Sequence, residues 1–485
     1  MTLLTSVARS GSASRRTKAP PAGVLLIVCA GVVLASLDLF IVNVALPQIA
    51  RGLHARDLGE LSWVLNAYAI VYASLLVFFG RLADRYRGDR AFLLGVAVFT
   101  AASVACAASA SVGMLIGFRV AQAAGAALLT PTSLRLVLAS YDDPARRSGA
   151  VRTWTAVGGL SAAVGPVVGG LLVAASWRWV FLVNLPVGLA ALVVGWRRLP
   201  EVPGHSTERP NPLGVVLVTA GVGLLTFGLV KGADWGWTSS RIDALLAAAA
   251  VLLGWFVLHC VSSRTPLVYP DLFRSRPFAG ASVVALFFSS SFGAMLLSIL
   301  LWEQGAWGWS ALRAGLAIAP GPLMVPVMSF LVVGRLTRRY GSAVVITLGS
   351  LLFALGVAWW ALSVTASPNY VPSVLGGMIL TGVGVGLTLP TLMASGAASL
   401  PPHAFATGSA VINMVRQTGL ALGVAVLIAV LGTGAAGHSA QLASFQHAWW
   451  VSAALSLAGI VPALALLRRA RPVPVAVPTV AFEEV

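Results

Sequence analysis

Apolar runs of about 20 residues recur fourteen times along the chain, separated by short polar stretches rich in arginine, glycine and proline. That is the length a helix needs to cross ~30 Å of hydrocarbon, so the pattern predicts an all-α polytopic membrane protein. The expected helices centre near Val33, Tyr72, Ala101, Gly125, Ser161, Gly188, Gly221, Val251, Ser290, Leu323, Phe353, Gly384, Gly419 and Leu457. Composition agrees: 58% of residues are hydrophobic and 10% charged, where soluble domains carry roughly 25% charged residues.

The net charge of +17 raises the question of a nucleic-acid partner, but the basic residues are spread along the chain rather than gathered on one face. Their placement follows the membrane instead. With the N-terminus in the cytoplasm, the inner segments hold 23 basic residues and the outer segments 6 (Arg51, Arg56, Arg178, Lys231, Arg241 and Arg313). Basic residues stay on the cytoplasmic side during insertion, so both termini are expected there. The basic N-terminal tail lacks a small-residue cleavage site after a short apolar core, so helix 1 is expected to be retained. Cys29, Cys106 and Cys260 are scattered through expected helices and suggest neither a disulfide framework nor a metal site.

The chain repeats itself. Gly80-Arg-Leu-Ala-Asp-Arg-Tyr86 at the end of helix 2 returns as Gly334-Arg-Leu-Thr-Arg-Arg-Tyr340 at the end of helix 10. Gly125-Ala-Ala-Leu-Leu-Thr-Pro-Thr132 in helix 4 is echoed by Gly384-Val-Gly-Leu-Thr-Leu-Pro-Thr391 in helix 12. Two echoes at nearly one offset predict two related six-helix halves, an arrangement transporters use to place a site between repeats. The expected division is a basic tail (1–21), an N-terminal half (22–198), a linker with two extra helices (199–264), a C-terminal half (265–467) and a second tail (468–485).

These motifs resemble the major facilitator superfamily, in particular its fourteen-helix drug:proton antiporter branch, from about Val24 to Leu467. Gly80 to Arg90 is similar to the family's loop between helices 2 and 3, with Asp84 and Arg85 in register and Arg87-Gly88-Asp89 departing from the pattern. A gating role for Gly80, Asp84, Arg85 and Arg90 is what the resemblance implies. Arg119, Gln122 and Gly125 match the helix 4 motif, with Ala123 where Gly is usual. Gly158, Gly165, Pro166, Gly169 and Gly170 resemble the helix 5 signature of the antiporters. Trp177 to Pro186, Asn413 to Gln417 and Leu37 to Pro47 resemble further signatures, and in the last Phe40 replaces the usual Thr. The family implies a bacterial inner-membrane protein that exports small molecules in exchange for protons, with no cofactor, and a monomer is expected.

Proton coupling requires an acid within the membrane, and a charge there costs roughly 2.5–3.5 kcal/mol on insertion scales. Thirteen of the fifteen acidic residues fall in loops or tails, leaving Asp38 and Glu303 in or near the membrane. For Asp38 two readings stand: proton coupling, or a structural acid paired with Arg119 or helix backbone. The pairing with Arg119 is the one the resemblance implies. Glu303 lies near the outer end of helix 9, either as a second coupling acid or as a solvated interfacial carboxylate. Arg416, in helix 13, either faces a substrate cavity or bonds Asn413 or Gln417 one turn away. Asn43, Asn66, Asn413 and Gln417 are the expected polar cavity wall, because buried amides in a bilayer need partners. Tyr72 and Trp154 join them, as do Tyr68, Phe288 and Phe292, with core packing as the alternative. The helix 5 glycines either pack helices closely or, with Pro166, kink the helix around the cavity. Trp177, Trp179, Trp235, Trp237, Trp307, Trp309, Trp449 and Trp450 are expected as interfacial anchors.

Other functions lack their residues. No His/Asp/Glu cluster suggests a membrane enzyme or a metal site, and no phosphate-binding loop suggests ATP-driven pumping. No carbonyl filter or charged ring suggests a channel. A symporter or uniporter of a defined metabolite remains the neighbouring alternative.

Overall fold

A computed structural model describes residues 20–141, 143–204, 211–400, 405–432 and 438–467. The basic tail before Pro20 and the tail 468–485 lie outside the described residues. All fourteen expected centres fall in long helices. Thirteen are apolar enough to span a membrane: α1 Pro21–Leu53, α2 Leu58–Leu82, α3 Gly88–Ala107, α4 Val112–Ser140, α6 Trp179–Arg198, α7 Pro212–Trp235, α8 Ser240–Ser262, α9 Arg276–Ala306, α10 Ala311–Tyr340, α11 Ser342–Ser363, α12 Val371–Gly396, α13 Thr407–Leu431 and α14 Ser439–Leu466. The remaining helix, α5, runs Pro144–Ala175 and carries its apolar part over Val164–Ala175.

Polar residues between the apolar runs start these helices. Asp57, Ser111, Asp143, Asn211, Ser239 and Ser310 each accept a backbone N–H from the first turn that follows. Such caps satisfy donors that the helix itself leaves unpaired.

Helix pairing in the first half recurs in the second. In the first, α3 packs on α4 and α6, α2 on α4, and α1 on α5; in the second, α11 packs on α12 and α14, α10 on α12, and α9 on α13. The junction obeys the same correspondence, since α2 meets α13 and α10 meets α5. The α7–α8 hairpin sits outside this set, with α7 against α2 and α13. The Gly125/Gly384 echo now has a physical cause. A Cβ on Gly125 would stand 2.6 Å from Phe99 N in α3, and one on Gly384 would stand 2.7 Å from Phe353 N in α11. Each glycine lets two backbones touch where a side chain would separate them.

The aromatic assignments need correction. Trp179, Trp235, Trp237 and Trp450 are exposed as expected of anchors, but Trp177, Trp307, Trp309 and Trp449 are buried in protein. Trp449 lies between Trp302, Trp360 and Phe445 and donates from Nε1 to Ser298 Oγ at 3.0 Å. Rings near a helix end read as belt residues from position alone; helix packing decides which of them meets lipid.

Candidate functional site

Asp38 lies in the middle of α1 with no solvent exposure, facing α3, α4 and α6. Its Oδ2 is ion-paired to Arg119 Nη1, and Arg119 is equally buried. The other carboxylate oxygen accepts from Gln122 Nε2 at 2.8 Å and from Asn184 Nδ2 at 3.3 Å. Ser103 Oγ receives the same two amides, at 2.8 and 3.3 Å. Gln122 also turns its Oε1 to Arg119 Nη1 at 2.7 Å. The helical spacing of Arg119 and Gln122, one turn apart on α4, puts both on the face that meets α1.

Arg119 is held on every side but one. Its Nε donates to Val64 O at 3.1 Å, its guanidinium lies 4.1 Å from the centre of the Tyr68 ring, and its Nη2 has no partner. Stacking on an aromatic face replaces part of the solvation that burial removes. A buried ion pair of this kind contributes little net stability, yet breaking it costs about 3–5 kcal/mol because one charge is left uncompensated. Of the two readings of Asp38, the structure shows the pairing with Arg119.

Beside this network, between the halves, lies a small half-open cleft. Phe40, Asn43, Asn66, Phe292 and Val424 are among its walls. Phe40 and Phe292 meet across the junction as an edge-to-face pair, ring centres 6.2 Å apart. Asn43 donates to Leu39 O at 3.0 Å, whereas both amide atoms of the fully buried Asn66 lack partners. Phe288 is core, packed on Phe353.

The other expected cavity residues lie elsewhere. Tyr72 stacks on Tyr68 and donates to Thr130 Oγ1 at 3.2 Å. Trp154 donates to Ser133 Oγ at 3.0 Å within the first half. Arg416 donates to Asn413 Oδ1 at 2.9 Å, one turn away along α13. Asn413 in turn donates to Ser409 O at 3.1 Å, and Gln417 Oε1 is buried without a partner.

The α5 glycines serve two interfaces. Gly158, Gly165 and Gly169 pack on α1, against Val32, Phe40 and Ile41. Gly170 faces α10, where a Cβ would stand 2.6 Å from Leu312 Cα, and Gly315 of α10 meets the carbonyl of Pro166. Helix continues through Pro166. This seam and the contact of Gln304 Nε2 with Val44 O, at 3.3 Å, close the end of the bundle that arginine placement assigns to the outside.

At the opposite end, the loop after α2 is docked rather than free. Gly80 packs on Pro131, and Arg81 donates to Pro266 O and, at 2.8 Å, to Tyr269 Oη. The unusual Arg87-Gly88-Asp89 holds the segment after α6: Arg87 pairs with Asp89 and Glu201, both at 2.8 Å, and Gly88 N donates to Val202 O at 2.9 Å. Bonding to those two carboxylates pushes the Arg87 guanidinium further up from its already high range. Arg85 lies beside the Tyr86 ring and Arg90 is exposed. The Asp84 side chain lies outside the described residues.

Glu303 corrects the interfacial reading. It is fully buried, in a π-helical turn at Trp302–Ala306 that ends α9, and neither carboxylate oxygen has a partner.

The profile of the Major Facilitator Superfamily matches residues 28–424. The chain belongs to that superfamily. It is a multi-pass transporter of the bacterial inner membrane and not an enzyme. The chain is 33% identical over 483 residues to the cephamycin export protein CmcT of Amycolatopsis lactamdurans, covering 97% of this chain and 98% of that one. It is 34% identical over 467 residues to the methylenomycin A resistance protein of Bacillus subtilis (strain 168), covering 93% and 96%. An auto-inhibited POT family peptide transporter superposes with a TM-score of 0.67 at 18% identity, over 94% of this chain and 98% of that one, which shows the shared fold. Within this transporter, Asn184, Ser103, Gln122 and Tyr68 complete the Asp38 network, and the sequence reading assigned none of them to the coupling site. A signal existed for Asn184 and Gln122: each is an amide inside an apolar run, inside a recognised motif.

Proposed function

We propose that the transporter exports hydrophobic or cationic antibiotic-like molecules in exchange for protons, by alternating access of its two halves. The observation that carries this reading is the buried Asp38–Arg119 ion pair, tied to Gln122 and Asn184 and set close to the cleft. Protonation of Asp38 cancels its attraction for Arg119 and removes an acceptor from two amides. The cation must then find other partners, so α1, α4 and α6 have a physical reason to rearrange. Cargo occupies the cleft, where Phe40 and Phe292 offer apolar surface and Asn43 and Asn66 offer polar groups. The cephamycin export protein and the methylenomycin A resistance protein among its relatives support the cargo class.

The test is transport in proteoliposomes and inverted vesicles, following a fluorescent cation and protons together. A pH gradient should drive uptake by the intact protein, and Asp38→Asn should abolish the drive. Unchanged gradient-driven uptake in Asp38→Asn would remove Asp38 from the coupling role. Transport without proton movement in the intact protein would overturn antiport itself.

A further inference from the structure

Glu303 is a charged residue type in a place that cannot hold a charge cheaply. Its side chain is fully enclosed, and neither oxygen receives a hydrogen bond. An ionised carboxylate buried without partners is far more costly than the neutral acid, so this enclosure disfavours a charge. The turn that carries Glu303 is also part of the closure. Its neighbour Gln304 donates across the halves to Val44 O of α1 at 3.3 Å. Trp309 N, just ahead of α10, donates to Glu303 O at 2.9 Å, and α10 begins the glycine seam with α5. The π-helical geometry of Trp302–Ala306 marks a stretch where α9 departs from regular hydrogen bonding, a feature often found at functional positions.

We propose that Glu303 is a proton-binding site that locks the outer seam: closing α9 and α10 onto α1 and α5 takes up one proton from the outer solution, and opening the seam returns it there. Few other groups bear on it. Arg313 of α10 and Tyr370 at the foot of α12 act on it electrostatically. Arg313 is itself exposed, stacked 4.0 Å over the Trp309 ring. On α14, Phe445 and Trp449 pack against Trp302 while His447 is exposed on the other side of that helix. On α1, Arg51 is exposed two turns beyond Val44. When the seam opens, water reaches the carboxylate, Arg313 supplies a countercharge, and the ionised form becomes affordable. Low external pH then favours the closed seam. The proposal rests on alternating access but not on Asp38 carrying the exchanged proton.

The experiment places spin labels on the full-length protein at Ala175→Cys and Ala366→Cys, exposed on opposite sides of the seam. Distances are read by electron–electron resonance in lipid nanodiscs, from mildly alkaline to mildly acidic pH. The short-distance population should rise as pH falls. Glu303→Gln, neutral and nearly isosteric, should show the short distance at every pH, and Glu303→Asp should keep the pH response. The Asp38→Asn protein should keep it too. A Glu303→Gln protein that still closes only at acid pH, or an intact protein whose seam ignores pH, overturns the proposal. So does loss of the response in Asp38→Asn alone. A pH-responsive seam in a protein that moves no protons during transport would overturn antiport and leave this lock standing.

Discussion

Gly315 of α10 rests against the backbone carbonyl of Pro166 in α5, leaving no room for a methyl group between the two halves. A few residues earlier on α10, Leu312 meets Gly170 in the same way. The outer closure is thus made partly of bare backbone, and its tightness depends on two absent side chains.

A branched side chain at this seam should hold it apart. Gly315→Val is expected to lower transport by roughly tenfold or more, equivalent to about 1.4 kcal/mol or more of barrier. A thiol at Leu312→Cys should then react faster with a water-soluble maleimide. Gly254→Ala on α8, where a Cβ would meet nothing within 4 Å, serves as the control and should leave both readouts unchanged.

The amides around Asp38 should rank by geometry. Gln122 makes three close contacts, to Asp38, Ser103 and Arg119, while Asn184 makes two longer ones. Leaving a buried polar partner unsatisfied costs about 1–3 kcal/mol. Gln122→Leu is therefore expected to lower the thermal midpoint of the purified protein more than Asn184→Leu, with a larger loss of proton-coupled transport. Equal effects would show that the network does not act through these bonds.

Much of this architecture was legible in the chain. Helix number and position follow from hydropathy, because lipid leaves the backbone no alternative to an internally bonded helix. Asp38 stood out for the same reason, as a charge in a run fit for hydrocarbon. Its surroundings were only partly visible: Arg119 came from motif resemblance, whereas Ser103 carries no signal, since a serine in a helix usually bonds its own backbone. Glu303 misled because distance from a helix end says nothing about which neighbours cover it. The same blindness sent Trp449 to the membrane interface and grouped Trp154 with Asn66, although Trp154 bonds Ser133 within one half.

Asn66 separates stability from binding. Its amide atoms are buried without partners, so replacing it with Leu removes an unsatisfied polar group and should hold or raise the thermal midpoint. The same change takes polarity out of the cleft wall. KM for a cationic substrate is expected to rise while the fold is unharmed. A fall in stability with unchanged KM would assign Asn66 to the scaffold.

The inner loop offers a contrast between two carboxylates on one arginine. Glu201 is exposed, and an exposed pair is worth about 1 kcal/mol or less, so Glu201→Gln should barely move the thermal midpoint. Asp89 is buried and also accepts Val202 N at 3.4 Å. Asp89→Asn is expected to cost about 1–3 kcal/mol and to loosen the segment after α6. Thermal unfolding of the two single variants measures the difference.

Among the described residues, the groups that bond Asp38 come from α4 and α6 of the first half, whereas the cleft is walled by both halves. The buried ion pair and the cleft are thus neighbours that share α1, which carries Asp38 as well as the cleft residues Phe40 and Asn43. Phe292 and Val424 wall the cleft and are not among the groups that hold the acid, so substitutions there reshape the cleft while leaving those groups in place. A transporter built this way can vary the wall of its cleft one side chain at a time while the buried ion pair beside it stays the same.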